Sequence, residues 1–554
     1  MSRPNRSLAL IPCVLVMLGG VTGCGDEDTT IFVPEPVITA SLSASTDSTS
    51  AGGVITLVAT ATSSATNPLT FGWSAPAGTF SSVTDDTTRW TAPEADGFYD
   101  ISVIVSDGHN VAIATKVLGV GAYVPAVHPF YRGAAYCQGC HAGGAGGNQY
   151  TSWAASAHAH TWNTLQEVGQ EQNPACLQCH TVGSRGLDAD PALDNGGYDE
   201  TAVARLYGVQ CENCHGAGSE HPADFTSVRA TLDANLCGNC HNGTHHPTFD
   251  EWSGSPHNGV VEEAASRAAC SKCHNGAYAG AYLDDPAGFV TPAAVTDTLA
   301  ITCAVCHDPH GNSNPGNLRN ASVTDVVLPD GTVVPEAGAG RLCMSCHNGR
   351  RTPENIEAMI ANGSGHFGPH ESNQGDMLAG TGAYEALAPA FPFTSSRHLA
   401  VRDGCVHCHT HPHQGEVVFT GHSFLPTVES CEECHGVITD FDQIIAKEDF
   451  DGDQAIEGVQ HEVEGLQALL QRAIIDASQT PADSLLFEQD FRAAVGDTNI
   501  STRDQREAGY NFFFVDADKS HGVHNTTYTV QLLQQSILAV NAPLMPASAH
   551  ILRE

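Results

Sequence analysis

Nine times the sequence places two cysteines three positions apart, with a histidine directly after the second. The motifs begin at Cys137, Cys176, Cys211, Cys237, Cys270, Cys303, Cys343, Cys405 and Cys431, and are numbered one to nine in that order. Their second cysteines are Cys140, Cys179, Cys214, Cys240, Cys273, Cys306, Cys346, Cys408 and Cys434. Their histidines are His141, His180, His215, His241, His274, His307, His347, His409 and His435. Two thiols on one turn can each add to a vinyl group of a haem, and the adjacent histidine then reaches the iron from one face. Zinc knuckles also use paired cysteines, but tetrahedral zinc requires no histidine fixed after every second cysteine. A disulfide framework requires no histidine at all. The motifs use 18 of the 20 cysteines and predict nine covalently bound haem c groups.

Each iron has a second face, and its ligand sets the chemistry. Of the six methionines, Met1 and Met17 lie ahead of Cys24 and Met344 lies inside motif seven, which leaves Met359, Met377 and Met545. Histidine is plentiful, with 29 in all, so bis-histidine ligation and low potentials are expected. Local pattern selects the candidates. WAASAH, ending at His158, and WSGSPH, ending at His257, share the frame W-x-x-S-x-H. FTSSRH, ending at His398, keeps an aromatic version of it. His221, His246, His310, His370, His422 and His524 complete a set of nine. His245 competes with His246, and His160, His366, His411, His413 and His521 stand in reserve.

The elements that must position these residues change character along the chain. From 36 to 122 apolar and small polar residues alternate in ITASLSAST, VITLVATAT, LTFGWSAPAG and FYDISVIVSDG, with turn residues between, which predicts an all-β sandwich. From 123 to 436 a motif starts every 26 to 62 residues in a stretch rich in Gly, Asn, Pro and His. Such a stretch predicts short helices and loops whose apolar interior is largely haem. From 437 to 554 the pattern turns helical. Ile456, Val459, Val463, Leu466, Leu470 and Ala473 form one stripe, and Val530, Leu533, Ile537 and Val540 form another. The predicted fold class is thus multidomain: a β-sandwich, an irregular multihaem domain, then long helices packing on the haems.

At the N-terminus Arg3 and Arg6 precede the apolar run LALIPCVLVMLGGV, which is short for a spanning helix and fits an export signal. The following VTGC resembles the lipobox of bacterial lipoproteins, which implies a signal over 1–23, lipid on Cys24 and a tether over 24–35. Gly25 follows the cysteine where an inner-membrane retention aspartate would stand, so the outer membrane or cell surface is expected. The formal charge of −39 and the four lysines exclude nucleic acid as a partner. W-x-A-P and GFYDISVIVSDG resemble bacterial immunoglobulin-like and PKD-type sandwiches, which act as spacers.

GVQCENCHGAGSEH, CAVCHDPHG, EWSGSPH and DKSHGVHNTTY resemble the large multihaem cytochromes c of respiratory bacteria. That group includes nitrifier tetrahaem cytochromes, pentahaem nitrite reductases and surface cytochromes of metal reducers. The resemblance runs from about Tyr136 to the C-terminus. It implies electron transfer to other cytochromes, redox shuttles or metal oxides, with assembly into oligomers or filaments left open. A second reading is a reductase of a small nitrogen or sulfur oxyanion with one open haem site and an anion clamp at Arg350 and Arg351. None of the motifs ends in the lysine that the nitrite reductases carry at their catalytic haem, which argues against it.

Overall fold

The computed structural model describes residues 37–144, 146–221, 223–319, 325–364, 367–388, 391–413, 418–477, 495, 497 and 501–553. The signal, Cys24, the tether and His366 lie outside the described residues. The chain divides into two compact units, Met1–Val124 and Pro125–Glu554.

In the first unit the predicted alternation appears as strands. β1 (Ile38–Ala44), β3 (Val54–Ser63), β6 (Thr87–Thr91) and β5 (Thr79–Phe80) form one sheet in that order. β2 (Ser48–Thr49), β8 (Val111–Val120), β7 (Gly97–Ser106) and β4 (Thr70–Ser74) form the other. Ile55 and Leu57 of the first sheet share one core with Ile101, Val103, Val105 and Leu118 of the second. Successive strand side chains point to opposite faces, so every second residue of β3 and β7 enters that core. Trp73 and Trp90 fill it, and their buried indoles donate to Asp85 and Ala77 carbonyls at 2.7 and 3.1 Å.

In the second unit the nine motifs lie on short helical turns or beside them, such as Ala134–His141, Cys211–His215 and Cys405–His409. The apolar residues between motifs gather in small separate clusters, for example Trp162, Leu165, Val182, Tyr198 and Leu206. The large core lies at the C-terminal end. Helices Val459–Asp476, Arg503–Asp518 and Thr526–Asn541 pack on one another and enclose Ile356, Ile360, Met377 and Tyr384 from the motif region. That shared core makes 125–554 one unit.

The stripe of the first long helix begins later than predicted. Ile456 precedes the helix, which starts after Gly458, and it is exposed. Val463, Leu466, Leu470 and Ala473 are buried as a face should be. On the last helix Val530, Leu533 and Ile537 are buried, while Val540 is only half-buried. The middle helix, Arg503–Asp518, has no counterpart in the sequence-based expectations. No helix among the described residues is long and apolar enough to cross a membrane.

Candidate functional site

The motif histidines stand opposite other histidines at a narrow spacing. Ring centroids are 6.3 Å apart for His141 and His221, 6.1 Å for His241 and His158, and 6.1 Å for His215 and His310. They are 6.0 Å for His274 and His370, 6.2 Å for His307 and His422, and 6.1 Å for His347 and His257. They are 6.0 Å for His409 and His524 and 6.2 Å for His435 and His398. His246 stands 6.2 Å from His241 and also beside His180. The interplanar angles run from 9° to 79°, so ring-on-ring stacking does not set the spacing.

A shared metal does account for it. A metal–imidazole bond is about 2 Å and the nitrogen lies roughly 1 Å from its ring centre, so two rings across one metal sit about 6 Å apart. Rotation of either ring about the bond axis leaves that distance unchanged.

Hydrogen bonds select the nitrogen that faces the gap. A carbonyl only accepts, so a ring Nδ1 bonded to one must carry the proton, and Nε2 is left free to ligate. His141 donates in this way to Gly146 O, His180 to Thr161 O and His409 to Phe424 O, each at 2.9 Å. His215 donates to Arg229 O, His307 to Gly316 O, and His398 to Val523 O. His524 uses a carboxylate instead, with Nδ1 2.7 Å from Asp518 Oδ1, and that carboxylate is almost fully buried. Burial, reinforced by neighbouring imidazoles, brings His241 and His257 down to about 4, so both are neutral near pH 7. Neutral imidazole is the ligating form.

Burial pushes the Cys306 and Cys408 thiols up to about 11, while hydrogen bonds from thiols of other motifs bring Cys179, Cys273 and Cys405 down to about 7. Among the described residues, the sole group of three donor atoms close enough to share one ion is Asp449, Asp451 and Asp453, away from every motif.

Side chains of one motif hold the backbone of another. Glu212, inside motif three, is buried and accepts from Arg132 N at 3.0 Å, Gly133 N at 2.7 Å and Gly218 N at 2.8 Å. Gln210 Oε1 accepts from Ala134 N at 2.5 Å. The amides of Arg132, Gly133 and Ala134 open the helix that carries motif one, so Gln210 and Glu212 satisfy donors that a helix start leaves unpaired. Glu251 likewise accepts from Thr420 N at 2.9 Å and His422 N at 2.8 Å, fixing the loop that brings His422 to His307.

The tryptophans of the W-x-x-S-x-H frames are anchors. Trp153 Nε1 donates to Val209 O at 2.8 Å, and Trp252 Nε1 donates to Ile301 O at 3.0 Å. Phe393, which has no N–H, packs on Phe391 and Tyr528. The reserves lie elsewhere. His521 Nδ1 is 3.2 Å from Glu464 Oε1, and His411 stands 6.2 Å from His407, between the two cysteines of motif eight, rather than from a histidine that follows a second cysteine. His413 stacks near Phe419. Arg350 is exposed and lies near His274, and Met377 is buried with its sulfur 3.3 Å from Thr529 Oγ1. The polar contacts of Glu212, Glu251 and Asp518 had escaped sequence reasoning. Their only sequence signal is an acidic residue in or beside a motif or frame.

Residues 136–216 match the family model of cytochrome c554 and c-prime, and 295–352 match that of the doubled CXXCH motif. The C-type polyheme cytochrome OmcB of Geobacter sulfurreducens (strain DL-1 / KN400) is 28% identical over 230 residues. That match covers 37% of this chain and 30% of OmcB. The multiheme cytochrome MtrA of Shewanella baltica (strain OS185) is 24% identical over 204 residues, covering 32% of this chain and 54% of MtrA. The chain therefore spans about a third to a half of the length of these relatives. The crystal structure of the outer cell wall cytochrome OcwA aligns at a TM-score of 0.43 with 21% identity, over 66% of this chain and 76% of that one. With its motifs and these matches, the chain belongs to the multihaem c-type cytochromes. The family matches indicate covalently bound haem c.

Proposed function

We propose that the chain is a nonahaem electron carrier in which every iron is held between two histidines. The observation that carries this is the set of eight facing pairs at 6.0 to 6.3 Å, each containing one motif histidine. Assigning His158 to His241 leaves His246 for His180, beside which it lies. The bound haems would supply reversible one-electron chemistry at low potential, since no methionine thioether is called on to raise it. The polypeptide holds His141, His180, His215, His307, His398, His409 and His524 by Nδ1 hydrogen bonds to carbonyl or carboxylate oxygens and spaces neighbouring motifs closely. A facing imidazole stands opposite eight of the nine motif histidines, and His246 lies beside the ninth, His180, which supports a carrier over an oxyanion reductase.

Further parts of the reading concern placement. Lipid on Cys24 would hold the protein to the cell envelope, with the immunoglobulin-like or PKD-like sandwich as a spacer. Partners would be other cytochromes, redox shuttles or metal oxides, and the acidic composition suits cationic or mineral-bound partners better than anionic ones. The test is intact mass and electron paramagnetic resonance on the mature protein. We expect nine haems, a lipidated Cys24 and only low-spin iron. Fewer than nine haems at full maturation would sink the nine-site reading. A stoichiometric high-spin signal would favour the reductase.

A further inference from the structure

We infer that the nine attachment motifs form a line of seven, in the order one, three, four, six, seven, eight, nine, with motifs two and five as side arms on motifs four and seven. This rests on the nine-site reading and adds the connectivity.

Thiols of different motifs meet at five places. Cys137 of motif one lies within hydrogen-bonding reach of Cys211 of motif three. Cys237 of motif four reaches Cys303 of motif six, and Cys343 of motif seven reaches Cys405 of motif eight. The side arms join in the same way. Cys179 of motif two reaches Cys240 of motif four, and Cys273 of motif five reaches Cys346 of motif seven. A looser approach closes the remaining joins: Cys214 to Cys237, Cys306 to Cys343, and Cys408 to Cys431.

Backbone packing agrees. Ala134–His141 packs on Cys211–His215, Ala234–Gly238 on Cys303–Cys306, and Gly340–Met344 on Cys405–His409. Tyr282, just beyond motif five, reaches the carbonyl of Ser345 in motif seven. Because a c-type haem is bonded through these thiols, touching thiols place two attachment sites edge to edge.

The branching has a cause in a repeated unit of three motifs. Val209 and Ile301 each stand two residues before a motif, three and six respectively. Val209 N donates to His158 O at 3.0 Å and receives the Trp153 indole on its carbonyl. Ile301 N donates to His257 O at 3.1 Å and receives the Trp252 indole. Ser156 and Ser255 each bond back to their tryptophan carbonyl at 2.7 Å. The two arrangements are copies, and the side arms attached to them advance by three motifs. His158 faces motif four and His257 faces motif seven. Motif two takes its facing histidine from beyond motif four, and motif five from beyond motif seven. Side arm two on four becomes side arm five on seven.

The ends of the line are also its open points. Cys140 of motif one and Cys434 of motif nine are exposed, and the other described motif cysteines are not.

Iron anomalous scattering from crystals of the mature, haem-loaded protein tests this. We expect nine irons, with those of His241 and His347 having three near neighbours each and those of His180 and His274 having one. Nine irons in an unbranched file, or an iron of His180 or His274 lying between two others, would overturn the order while leaving nine sites standing. Fewer than nine irons at full maturation would overturn the nine-site reading itself.

Discussion

The division of labour between two neighbouring histidines shows how little sequence distance decides. His521 and His524 are three residues apart, yet His524 faces His409 at 6.0 Å while His521 turns to Glu464. Asp518 makes the difference by taking the His524 Nδ1 proton into a buried hydrogen bond. His524→Ala is therefore expected to convert one low-spin haem to high spin and open it to carbon monoxide. The His521→Ala spectrum should match the parent. A change appearing in the His521 variant instead would refute the assignment. The motif histidines were legible because covalent attachment forces five residues into one pattern. Three facing histidines, His158, His257 and His398, share a frame such as W-x-x-S-x-H, and the other six were read from single local contexts with no shared pattern. Asp518 was not legible, because nothing in DADKSHGVH says which acidic group will be buried.

At the scale of elements, the short helices are held by side chains from distant segments, which a local pattern cannot reveal. Glu212 reaches back 80 residues to Arg132 N. Glu212→Ala would leave buried amides without acceptors, at a cost of about 2–5 kcal/mol. Glu212→Gln keeps one acceptor oxygen and should cost less. Thermal unfolding of the loaded protein, with proteolysis near Gly133, measures both, and an Ala variant as stable as the parent would remove Glu212 from this role. The missed helix Arg503–Asp518 has a related explanation. Tyr510, Asn511, Phe513 and Phe514 are buried around its circumference, so it shows no polar face for periodicity to find. Asn511 lies in that interior, accepting from Tyr384 N at 2.7 Å and donating to Tyr384 O at 3.1 Å. Ile456 misled for the opposite reason: it continues the spacing of the stripe across Gly458, where the helix has not begun.

At the scale of the molecule, the two units keep separate cores, and the N-terminal one contributes no motif. Deleting 36–120 with the signal and lipobox retained is expected to leave the haem count and reduction potentials of the rest nearly unchanged, as measured by haem staining and redox titration. A drop in haem content in a stable truncation would mean that the sandwich helps to build the second unit. The thiol contacts between motifs carry a further consequence, for the order of events in biogenesis. In the folded arrangement Cys137 lies against Cys211, and Cys237 against Cys303, so each thiol's nearest reactive neighbour belongs to another motif. Outside the cytoplasm such thiols oxidise readily to disulfides. A chain that reached this geometry bare would lock itself with wrong cross-links and lose the sulfurs needed for haem. Productive maturation must therefore attach haem to reduced, extended chain, one motif after another, with folding as the last event.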